Sequence, residues 1–142
     1  MRFIIAISII SILTGCTSSV EPIDYGNDEC YFCSMSIVEK QYGSELITDK
    51  GKIRKFDAIE CMVNFIHENP SLEIANLYVN TFDKPVELID VNSCSYLISE
   101  SLPSPMGANL TAFTTIENAI EMQSVKDGKV FTWKELLLLK NL

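Results

Sequence analysis

The sequence predicts an α+β protein made of two small repeated ββαβ units with mostly antiparallel strands. Three observations predict it. Short apolar alternations are separated by turns that carry Gly, as in hairpins. Two segments place apolar residues at helical spacing behind a capping residue. Finally, Phe56-Asp57-Ala58-Ile59-Glu60 aligns with Phe113-Thr114-Thr115-Ile116-Glu117. In each, a strand ends in Phe, a capping residue follows, and a helix opens with Ile-Glu. Hairpins broken by one helix per unit lead to antiparallel sheets with segregated helices.

The N-terminus fixes the compartment. Arg2 is the only charge ahead of an apolar run at residues 3–13. That run is too short for a stable transmembrane helix and has the form of a signal peptide. It ends in Leu13-Thr14-Gly15-Cys16, which reads as a bacterial lipobox. Small residues suit a peptidase cleft, and the Cys16 thiol takes the lipid. Residues 1–15 are therefore expected to be a lipoprotein signal peptide. Residues 16–27, with Ser18, Ser19 and Pro22 and no apolar periodicity, form a tether. More than one acyl chain on Cys16 would hold the body stably at the envelope membrane, facing the periplasm.

The first unit is expected over residues 28–84. Residues 44–48 read as a strand through Leu46 and Ile47, and Asp49-Lys50-Gly51 is a turn with Gly where positive φ is cheap. Residues 52–56 return. Asp57 and Glu60 form a D-x-x-E capping pattern for a helix over 58–68, with Ile59, Met62, Val63 and Ile66 as its buried stripe. Asn69-Pro70 ends the helix, and residues 77–81 form a third strand. The second unit, residues 85–142, is expected to repeat this order. A short strand is placed at 86–89, a loop at 103–107 and a strand at 110–113. Thr114 or Thr115 caps a helix through Met122. A turn at Asp127-Gly128, a strand at 129–132 and a closing helix at 133–139 follow. Residues 92–98 fit neither period.

Charge narrows the function classes. The chain has a net charge of −8, and loss of the leader removes a basic residue and no acidic one. So acidic a body argues against nucleic acid and against docking on anionic lipid.

The chemistry concentrates in Cys30-Tyr31-Phe32-Cys33-Ser34-Met35, with two thiols and one thioether. Thiolates and thioethers are soft donors that favour copper(I). A C-x-x-C spacing lets both sulfurs face one ion, and Met35 can add a third. Cys30-x-x-Cys33 also fits a redox pair or a small disulfide loop, and four cysteines beyond Cys16 allow three pairings. A zinc site wants four ligands, and neither a second C-x-x-C nor a paired His supplies them. The one histidine, His67, ends the first helix and reads as a solvated residue. Pro105-Met106-Gly107 holds a second thioether on a stiff turn. Met62 falls on the apolar stripe; Cys61 lies one step off it, so it is expected to be partly exposed and structural. Cys94 sits in the unassigned segment. Three readings follow: a metal-binding chaperone without turnover, a thiol-disulfide oxidoreductase, and a lipoprotein whose cysteines only form disulfides. Met35 and Met106 favour the first, since thioethers serve copper(I) and not thiol exchange.

The ordered set of these features resembles the NosL family, the accessory lipoproteins of nitrous oxide reductase. It comprises Leu-Thr-Gly-Cys16, Cys33-Ser34-Met35 where the family pattern is Cys-Gly-Met, Lys55-Phe56-Asp57 with Cys61-Met62, Tyr78-Val79-Asn80, Pro105-Met106-Gly107 and Ala112-Phe113. The resemblance implies a periplasmic copper(I) carrier and no enzyme. It would supply nitrous oxide reductase beside a dedicated membrane transporter. It implies a key thiolate at Cys33, a key thioether at Met106 and a motif position at Met35. Two departures stand out: Ser34 replaces the usual glycine, and Cys30 is absent from some members.

Overall fold

The computed structural model describes residues 19–140 and 142; the expected signal peptide and lipidation site at Cys16 lie outside them. Strand β1 (Ser44–Thr48) and strand β2 (Ile53–Phe56) form the expected hairpin, in register Ser44↔Phe56 to Ile47↔Ile53. Gly51 closes the turn at φ 73°, its N–H donating to the Thr48 carbonyl at 2.8 Å. Helix α1 (Ile59–Glu68) follows, then β3 (Ile74–Val79), which returns antiparallel to β1. Strand β4 (Ile89–Asp90) pairs with β3 and completes a sheet of order β2-β1-β3-β4. The second sheet holds β5 (Ser95–Ile98), β6 (Leu110–Phe113) and β7 (Lys129–Phe131) in the order β6-β5-β7. Helix α2 (Ile116–Lys126) lies between β6 and β7, and helix α3 (Trp133–Leu136) closes the chain. The sequence β1β2α1β3 and the sequence β5β6α2β7 thus share one connectivity and one strand order.

Several elements differ from their sequence reading. The strand expected at 86–89 does not open the second sheet. Val86 follows Pro85 at φ 76°, which no strand accepts, and its N–H donates to the Lys40 carbonyl. The short β4 that remains joins the first sheet instead. The unassigned 92–98 segment supplies the true opening strand, β5, behind a 3-10 turn at Val91–Ser93 capped by the Asp90 carboxylate. The third strand begins and ends earlier than the expected 77–81, and α2 runs on to Lys126. Thr115 is the residue that caps α2, accepting from the Asn118 N–H at 3.2 Å. The closing helix is confined to Trp133–Leu136, opened by a Thr132–Glu135 capping box.

The capping box read at Asp57 and Glu60 does not form. The N-cap of α1 is Ala58, with no side-chain cap, and both carboxylates are buried and committed elsewhere. The apolar stripe is placed as expected, with Ile59, Met62 and Val63 fully buried. It packs into a core that both sheets share. Leu46, Phe56 and Val79 come from the first sheet; Tyr96, Leu110, Ala112, Trp133 and Leu136 come from the second half. Burying each of the larger of these side chains contributes roughly 1.5–3 kcal/mol.

Candidate metal centre

The loop that carries the sulfur cluster is closed on itself. Glu29 and Ser36 form an antiparallel bridge. Inside it the Cys30 N–H donates to the Met35 carbonyl at 2.7 Å, and the Ser34 N–H donates to the Cys30 carbonyl at 2.9 Å. That double closure forces Ser34 into the left-handed region at φ 63°. The glycine of the family pattern is the residue this position favours.

The loop is pinned to the hairpin and to α1. The Tyr31 N–H donates to the Lys55 carbonyl at 2.8 Å, and Lys55 Nζ reaches the Asp28 carboxylate at 2.8 Å. The Tyr31 ring stands edge-on to Phe65, centroids 5.4 Å apart, with the Arg54 guanidinium 4.2 Å from its centre.

These attachments place the loop over the first turn of α1. The Sγ atoms of Cys30, Cys33 and Cys61 and a carboxylate oxygen of Asp57 all lie within 4.8 Å of one another. Asp57 Oδ1 accepts from the Cys61 thiol at 3.2 Å and from the Cys33 thiol at 3.5 Å. Cys30, Asp57 and Cys61 are buried, and Cys33 is half-buried at the mouth of the group. All four cysteines among the described residues are free thiols.

Electrostatics divide the three thiols. The Cys61 thiol facing Cys30, with backbone N–H groups nearby, brings Cys30 down to about 6 against its burial. Burial, and then the neighbouring Cys30, push Cys33 up to about 11. Cys61 is raised because its proton bonds to Cys30, because it is buried, and because it lies beside Asp57. The three thiols are therefore unequal, with Cys30 the most acidic of them. Such a group can take up a soft cation and release protons as further thiols become ligands.

The thioethers lie at the surface. Met35 ends the loop, 53% exposed, and Met106 is 41% exposed on the Pro105-Met106-Gly107 turn. That turn hangs from α1: Glu60 Oε1 accepts from Ser104 Oγ at 2.5 Å and from the Met106 N–H at 3.3 Å. Gly107, at φ 84°, closes the turn onto the Ser104 carbonyl. Glu60 directly precedes Cys61, so the methionine turn and the helical thiol are fixed to the same turn of α1.

Of the residues expected at the site, Cys30 and Cys33 come together within the four-donor group. Asp57 and Cys61 were missed. The stripe argument assumes one covered face, but Ile59 to Val63 are all buried: the sulfur loop meets Cys61 and the Ser104–Met106 turn meets Glu60. The available signal was an acid and a thiol four residues apart across the start of the helix, close enough for Asp57 Oδ1 to accept from the Cys61 thiol. Cys94 takes no part: it is buried just ahead of β5, its Sγ 3.6 Å from the Asp90 carbonyl. His67 is exposed, with Nε2 3.1 Å from the Leu137 carbonyl.

Comparison with known proteins agrees with this architecture. The copper-binding lipoprotein NosL of Stutzerimonas stutzeri is 29% identical over 139 residues, spanning 87% of this chain and 73% of that protein. The crystal structure of the copper chaperone NosL from Shewanella denitrificans has the same fold, with a TM-score of 0.73 at 22% identity, covering 83% of this chain and 95% of that one. The NosL family model matches residues 23–137, which takes in both sheets, the sulfur loop and the Met106 turn. The chain belongs to the NosL family.

Proposed function

We propose that this protein is a lipid-anchored copper(I) carrier, held at the periplasmic side of the envelope through Cys16. Its cargo would serve the maturation of nitrous oxide reductase, working beside that enzyme's accessory membrane transporter. The observation that carries the reading is the convergence of soft donors from two separate elements on one point, with two thioethers exposed near the chain segments that form it. Family membership and the copper-binding relatives support the choice of metal.

In this reading Cys30, the most acidic of the thiols, backs the ion from inside, and Cys33 stands at the mouth, where cargo arrives and leaves, and gives up its proton as it becomes a ligand. Met35 and Met106 are neutral and easily displaced. They would guide the ion to and from the thiols as a partner's stronger donor takes over. The protein performs no chemistry on copper; it holds the ion, keeps it reduced through soft ligation, and yields it.

Competition titration of the anaerobic protein against a copper(I) chelator tests this. One copper(I) per chain is expected. Cys33→Ser should weaken binding at least about tenfold, an effect no smaller than loss of an outer-shell partner. Wild-type affinity in Cys33→Ser would refute the assignment. Cys16→Ser should move the protein from the membrane to the soluble fraction and abolish palmitate labelling.

A further inference from the structure

Cys61 lies on a helix, away from the loop motif, and its place in the group is not that of an ordinary core cysteine. A structural buried cysteine packs its sulfur among apolar atoms. The Cys61 sulfur instead meets Asp57 Oδ1, the same oxygen that the Cys33 thiol reaches from the loop. Two thiols from two elements thus converge on one acceptor, with the buried Cys30 sulfur beside them.

The dimensions suit a single ion. Three sulfurs round one ion at about 2.3 Å each, the zinc–thiolate distance, stand roughly 4 Å apart. The donors here span no more than 4.8 Å, so closure round an ion needs only small side-chain movements.

We infer that copper(I) rests on an inner set of three cysteine sulfurs, Cys30, Cys33 and Cys61, gathered by Asp57. Met35 and Met106 touch the ion only during transfer. This rests on the copper reading above and extends it to a ligand outside the loop motif. Each thiol that becomes a ligand exchanges its proton for the ion and releases it to solvent. Copper stays in the +1 state throughout. Asp57 is a positioning residue: it aims two thiols at one point and need not bind the ion.

The test uses the full chain produced with selenomethionine in place of methionine, loaded anaerobically with one equivalent of copper(I). X-ray absorption at the copper edge then separates thiolate sulfur from thioether selenium. Sulfur neighbours without selenium are expected; a copper–selenium distance overturns the inference and leaves the copper reading intact. Cys61→Ser should lose at least about tenfold in affinity while Met106→Leu changes less. Wild-type affinity in a folded Cys61→Ser also overturns it. Cys61→Ala serves as a second variant, and the selenium measurement decides without either. Failure of the unaltered protein to bind copper(I) at all would instead sink the copper reading.

Discussion

At the scale of single residues, two positions hold strain that can be measured. Ser34 at φ 63° carries a cost of about 1–2 kcal/mol for a side chain in the left-handed region. Ser34→Gly removes it, while the freer unfolded chain takes back about 0.5–1 kcal/mol. A net gain of about 0.5 kcal/mol is expected, read as a higher urea midpoint at unchanged slope. The second position is Glu45, on the central strand β1. Its Oε1 accepts from the Glu21 N–H at 3.2 Å, but Oε2 is buried without a partner. Burial raises its carboxyl to about 7. The folded state therefore binds this proton more tightly than the unfolded chain does. Stability attached to Glu45 is present below the ordinary carboxylate range and is lost as pH rises through about 7. Glu45→Gln should raise stability at pH 8 by roughly 2–3 kcal/mol and have little effect at pH 4. Equal shifts at both pH values would show that the carboxyl is not the cause.

At the scale of elements, the two long helices start in different ways despite their aligned sequences. Helix α2 is capped by Thr115, and Thr115→Ala should cost about 1 kcal/mol in chemical denaturation. Helix α1 has no side-chain cap, because Asp57 faces the thiols and Glu60 holds the Ser104–Met106 turn. The capping pattern was legible and was wrong for that reason: local hydrogen bonding lost to two tertiary demands on the same carboxylates. A similar contest decided β4. The residues at 86–89 have strand composition, but Val86 at positive φ breaks the run. The segment that fitted no period, residues 92–98, yields β5, where the neighbours Tyr96 and Leu97 are both buried, one on each face, which erases the alternation that sequence reading relies on.

At the scale of the whole molecule, the shared core predicts one folding unit. Trp133 is the only tryptophan; its ring lies 5.7 Å from Tyr96 in the same core as Leu46, Phe56 and Met62. Tryptophan fluorescence and far-ultraviolet circular dichroism should therefore report coincident urea transitions in the metal-free protein. Two separated transitions would mean that the halves unfold independently. Copper(I) should raise the melting temperature of an already folded chain by mass action, without inducing structure.

The sequence by itself determined the connectivity and the chemical type of the site. Period and turn chemistry are local, so the β1–β2 hairpin, the α1 stripe and the ββαβ order of the first unit could be read from neighbours in the chain, while the opening strand of the second could not. Soft donors announce themselves by residue type, so the sequence marks Cys30 and Cys33, which the fold brings into one group, and Met35 and Met106, which it leaves at the surface. Tertiary structure alone decided the membership of the thiol group and the fate of the buried carboxylates. Cys61 and Asp57 join Cys30 and Cys33 because the hairpin, through Lys55 and Tyr31, folds the loop across the first turn of α1. A contact made across 24 to 31 residues leaves no period in the sequence. It exists only once a shared core has brought the two elements together.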